Sequence, residues 1–301
     1  MDATSSAGPF EAPACSTEAI PVAWRVHAEV VLILGWGAAI LMQFAHPLVA
    51  AAVWDHSVFH TQPDGHGRRL RRTLDALLAL TFGAPAEAAR VAAQINAVHR
   101  RAVGRLGEAT PRFPAGTPYA ADDPQLLRWV YATLLDTFLR TYELFVGPLS
   151  AADRARYCAE VNQLARLLGI PDALLFTDVG ALRAYLDATL ADGTITVTET
   201  ARRLSRAVLA PAAAPWAAPL CWLLRLPAVG LLPPALRRAY GFAWTPGHSW
   251  ALALLAVIVR HTLPRLPAAL RSWPVARAAY ARRCPARAAS PLCLLSRGSQ
   301  R

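Results

Sequence analysis

The chain holds eight histidines, and where each sits decides what chemistry it can do. Six of them, His46, His56, His60, His66, His99 and His248, lie near apolar helical runs or in the loops beside them. His99 shares a helical face with Ala92, Ile95 and Val103, at spacings of seven and four residues. An imidazole on an apolar face offers a lone pair to the iron of a haem, with the helix wall packing the porphyrin. The other reading is a core histidine bonded to a backbone carbonyl, and position alone leaves both open.

A second constellation is Arg69, Arg72 and Thr73. Spacings of three and four residues put them on one face of a helix, able to point into one cavity. Forked guanidinium donors match both oxygens of a carboxylate such as a haem propionate. The alternative is a solvated basic face, because Arg68 and Arg71 stand beside them. His27-x-Glu29 is a weaker pattern that could begin a facial metal triad. Other chemistries are excluded. No H-E-x-x-H, Glu-x-x-His pair, G-x-S-x-G or phosphate-binding glycine loop occurs, and the chain has no lysine for a Schiff base.

The elements that must position these residues read as helices throughout, giving an all-α fold in a single multi-helix globular domain. Pro85 opens an apolar-periodic run that stops at Gly104, and Asp123-Pro124 opens another that ends at Gly147. Ser150 begins a third, ending at Gly169, and Asp178–Ala191 forms a fourth. Thr196 and Glu199 predict a capping box for a helix to about residue 210. Residues 68–80 also read as helical, whereas prolines between 211 and 234 break the chain into short apolar pieces. Helices follow near 248–262 and 267–281, and 194–198 is the one short strand candidate. We expect a disordered leader over 1–24, the all-α domain over 25–282 and a basic tail over 283–301.

The net charge of +11 is unevenly spread. Residues 200–301 carry fifteen arginines and no acid, while the first 199 residues are net acidic. Arginines interleaved with Leu, Ala, Pro and Trp favour amphipathic packing or peripheral contact with a membrane, and no nucleic-acid-binding motif accompanies them. Five scattered cysteines without a C-x-x-C pair fit a reducing compartment, so we expect a cytoplasmic protein. The uncharged stretch 30–54 is long enough to span a bilayer, but Gln43, His46 and Pro47 interrupt it. We read it as a buried helix broken at His-Pro beside a ligand pocket rather than as a transmembrane span.

Taken in order, several short words resemble one family. They are Leu41-Met-Gln-Phe-Ala-His46-Pro47-Leu-Val-Ala50, Asp55-His56-Ser57, Arg69-Leu-Arg-Arg-Thr73, Thr81-Phe82-Gly83 and His99-Arg-Arg-Ala-Val-Gly104. Tyr119-Ala-Ala-Asp-Asp-Pro124, Leu127-Arg-Trp129-Val and Phe145-Val-Gly-Pro-Leu-Ser150 follow, with a fainter match over 232–241. Together they resemble the oxygenases that include MpaB and the latex-clearing (rubber oxygenase) proteins. The resemblance implies an all-α fold around haem b and oxygenation, with O2, of a small hydrophobic, often isoprenoid, substrate. It implies that His99 is the axial iron ligand and that Arg69, Arg72 and Thr73 line the other face. Arg72 stands where that family carries a lysine able to bind iron, and a guanidinium has no lone pair to offer. A catalytic acid near the haem is also implied, for which Asp55 is the candidate. His46 serves either the pocket or the kink before Pro47. A non-catalytic haem- or lipid-binding protein held at a membrane by the acid-free third is the alternative.

Overall fold

A computed structural model describes residues 20–57, 65–209 and 218–283. His60, most of the expected leader and the tail beyond Arg283 lie outside the described residues. The chain begins with α1 (Val22–His27), α2 (Ile33–Phe44), α3 (Pro47–His56), α4 (Gly65–Phe82) and α5 (Pro85–Arg101). An antiparallel ribbon of β1 (Val103–Arg105) and β2 (Pro118–Ala120) pairs Gly104 with Tyr119. Then come α6 (Pro124–Phe145), α7 (Ala151–Leu167), α8 (Val179–Ala191), α9 (Glu199–Leu209) and α10 (Ala218–Gly230). Helices α11 (Pro234–Tyr240), α12 (Pro246–Thr262), α13 (Ala268–Arg271) and α14 (Pro274–Arg283) complete an all-α fold.

Helix α2 is the centre of the packing, lying between α6 and α10. Its small residues make that approach feasible. A Cβ on Gly35 would fall 1.9 Å from the Thr141 hydroxyl oxygen of α6, and one on Gly37 would fall 2.6 Å from Cβ of Ala228 on α10. At its end the chain bends by 104° into α3. Pro47 has no amide hydrogen and holds His46 in an extended conformation, which stops the helix. The carbonyls at this end of the helix also accept from three other segments. Tyr240 donates to Leu41, Trp129 Nε1 to Met42, and the Thr196 amide to Ala45. Residues 30–54 are therefore mostly inside the fold, and no single helix among the described residues is long and apolar enough to cross a membrane.

The last two helices close back on the N-terminus. Arg271 grips the buried Glu29 carboxylate, with Nε 3.0 Å from both oxygens and Nη2 2.6 Å from one. The Trp273 amide donates to the Ala28 carbonyl beside it. The run expected at 267–281 is consequently two helices, broken where Ser272 bridges Glu29.

Other expectations are also corrected. Residues 194–198 form no strand; the extended pairing lies instead at Val103–Arg105, so α5 ends short of Gly104. The cap of α9 is Thr198, which accepts from the Ala201 amide, whereas the Thr196 hydroxyl bonds to Gly193. Pro227 does not break the chain but sits inside α10. Val22, Ala23 and Trp24, placed in the leader by the sequence reading, are buried residues of α1.

Candidate functional site

The C-terminal end of α3, the face of α4, the last turn of α5 and the β-ribbon meet, and they carry most of the candidate residues. Asp55, His56 and Ser57 end α3 because the helix stops at an extended Ser57. Asp55 Oδ2 accepts a 2.5 Å hydrogen bond from the Tyr119 hydroxyl of β2. His56 Nε2 bonds to the Val103 carbonyl at 3.0 Å, with its ring edge-on to Tyr119. Burial, with the neighbouring Asp55, raises the Tyr119 pKa above that of an ordinary phenol. Gly104 is required opposite Tyr119, since a Cβ there would lie 2.4 Å from its hydroxyl oxygen.

Arg69 reaches back from α4 to the Ser57 hydroxyl, at 2.6 Å. The residue as a whole is exposed, yet its guanidinium is enclosed closely enough for burial to lower its pKa. Thr73 sits one turn further on and gives its hydroxyl proton to the Arg69 carbonyl at 2.9 Å. Arg72 is exposed on the same helix.

His99, in the last turn of α5, is half-buried. Burial lowers its pKa, Arg69 lowers it further, and Asp122 opposes both. The imidazole is thus held neutral, and its Nδ1 is buried without a hydrogen-bond partner. Other described histidines are committed. His27 bonds through both nitrogens to Thr81 and Tyr157, and His46 Nδ1 accepts from the Leu48 amide. His56, His248 and His261 each bond to a carbonyl or a threonine. Among the histidine side chains that the structure describes, His99 alone makes no hydrogen bond.

His46 belongs to a different part of the fold. It caps the N-terminus of α3, packs on Phe113 and Trp129, and is about 13 Å along the helix from Asp55. Its ring accepts an amide proton of the new helix, rather than satisfying the carbonyls of the old one. His27 and Glu29 do not form a triad: one lies between hydroxyls, the other against Arg271. Among the described residues no three His, Cys, Asp or Glu side chains converge, so a metal at His99 would depend on a group carrying its other ligands.

Sequence reasoning missed Ser57 and Tyr119 as partners of Arg69 and Asp55. Both fall inside the short words shared with the oxygenase family, which was the signal available. The model of the family "ER-bound oxygenase mpaB/B'/Rubber oxygenase, catalytic domain" matches residues 24–261, and the chain belongs to this family. It accordingly carries an oxygenase-type catalytic domain. No curated protein and no solved structure matches the chain.

Proposed function

We propose that this protein is a haem-dependent oxygenase acting with O2 on a small hydrophobic, lipid- or isoprenoid-like substrate, and that His99 is the axial ligand. The observation that carries this reading is the half-buried imidazole of His99, whose lowered pKa favours the neutral form and whose buried Nδ1 has no hydrogen-bond partner. That is the donor an iron porphyrin needs. Haem, when bound, supplies the activation of O2.

The chain's own residues do the positioning. Arg69, aligned by its bond to Ser57, brings a guanidinium whose forked donors suit a propionate or a polar ligand atom. Thr73 ties down the backbone of the same turn. Asp55 and Tyr119 hold a proton between them at the edge of the ribbon. Arg72 has no lone pair, so it could not donate to a haem iron as a lysine would.

The test is an ultraviolet–visible spectrum of protein expressed with haem precursor, set beside that of His99→Ala. We expect a Soret band in the wild type that is lost or shifted in the variant, with the helical circular dichroism of both unchanged. Folded wild-type protein that shows no Soret band after haem is added would sink the haem reading. With haem established, O2 uptake on apolar alkenes tests the substrate class.

A further inference from the structure

Helix α12 is apolar on both sides. Leu252, Leu255, Ala256 and Val259 turn inward and pack with Val31, Phe145 and Leu263. The outer side carries Trp250, Leu254, Val257 and Ile258, which are 77%, 61%, 52% and 50% exposed. Steps of four and three residues align these side chains in one stripe. Leu266 and Leu270 are exposed in the segment that follows. The outer face of a surface helix ordinarily carries charged or polar groups; from Trp250 to Ile258 this stripe carries none, and His261 follows at its C-terminal end with Nδ1 bonded to the Val257 carbonyl.

The charge around the stripe has one sign. Arg225 and Arg237 stand over Phe242 and Trp244, near the start of α12, and Arg260 and Arg265 lie at its end. Arg260 bonds to the carbonyls of Glu143 and Leu144, and Arg265 to that of His261. None of these four is paired with a carboxylate among the described residues, and no acid occurs anywhere from residue 200 onward.

We propose that α12 docks the protein on an anionic lipid bilayer. The Trp250–Ile258 stripe enters the boundary between headgroups and acyl chains, and the flanking arginines meet lipid phosphates. An apolar helix face combined with uncompensated cations is the pairing that an anionic membrane surface binds. A second copy of the chain fits less well, because a twofold contact through this face would bring uncompensated arginines of one copy against those of the other. The inference does not depend on haem at His99.

Vesicle flotation of the full chain tests it, with phosphatidylcholine alone and with phosphatidylcholine mixed with phosphatidylserine, each at low and high salt. We expect wild-type protein to float with the mixed vesicles and to be released progressively as salt rises. Leu254→Glu/Ile258→Glu should weaken that binding by about tenfold or more at an unchanged melting temperature. Should the double variant fail to fold, Trp250→Ser, which alters the most exposed residue of the stripe, should show a smaller loss in the same direction. The proposal is overturned if wild-type protein ignores both vesicles, or binds them equally at all salt concentrations, or if a folded variant floats as well as the wild type. Sedimentation that shows a lipid-free dimer abolished by the same substitutions would also overturn it, and would assign the stripe to contact between copies.

Discussion

Tyr119 is the residue on which the edge of the candidate site turns. Its hydroxyl fixes Asp55 at the end of α3, its ring lies across from Gly104 in the ribbon, and His56 meets it edge-on. Removing that hydroxyl leaves the ring's packing in place and takes away only the bond to Asp55. Tyr119→Phe should therefore lower stability by about 1 kcal/mol, the net worth of one hydrogen bond, as measured by urea unfolding. A loss near zero would show that water replaces the bond without penalty. His99 and Arg69 stood out in the sequence because residue type and helical spacing are visible there. Their relation to Ser57, Tyr119 and Asp122 was not, since those partners come from other elements and the chain spacing says nothing about them. The same limit applies to His46: the sequence placed it before a proline, but its role as an amide-accepting cap depends on a bend whose angle only the packing of α2 and α3 sets.

Between elements, the approach of α2 to α6 is the most confined contact. Gly35→Ala would favour the helix by about 1 kcal/mol if the new methyl group had room. It has none, because Thr141 Oγ1 would lie 1.9 Å away and Thr141 Cβ 3.0 Å away. We expect the substitution to destabilise the protein by about 2–3 kcal/mol, as overpacked cores do. Thr141→Ala in the same chain should restore part of the loss, and thermal unfolding of the two single variants and the double variant measures that coupling. A stabilised Gly35→Ala would mean that the helices can move apart freely. Helix starts were legible where the cap is local: Asp123, Ser150 and Asp178 each accept from an amide two or three residues on. The start of α9 was misplaced by two residues because part of its cap comes from far away. The Glu108 carboxylate accepts from the amides of Glu199 and Thr200. The ribbon was missed for a related reason, since three-residue strands have too little alternation to read and pair only across an intervening loop.

Over the whole molecule, His27 joins four helices at one point. It ends α1, bonds to Thr81 of α4 and Tyr157 of α7, and packs edge-on to Phe138 of α6. Burial lowers its pKa from 6.5 to about 4. Above pH 6.5 the ring is neutral in folded and unfolded chains alike and contributes no pH dependence. Below that the unfolded chain takes up a proton that the folded chain refuses, so stability falls with pH until about 4, where the difference saturates. His46, also lowered to about 4 by burial, acts in the same sense. Buried Glu29 and Asp136 and half-buried Glu160 act in the opposite sense, because desolvation raises their pKa values and the folded chain gains stability as they protonate. The acid limb of the wild-type curve is thus a difference between two sets of buried groups, and a single-site comparison isolates one of them. His27→Gln is uncharged at every pH. It should be less stable than wild type near neutrality, yet lose about 2–3 kcal/mol less between about pH 7 and pH 4.5. Urea unfolding of both proteins at the two pH values gives the comparison. Parallel losses would mean that the ring is reached by water in the folded state and that the four helices do not exclude a proton from their junction.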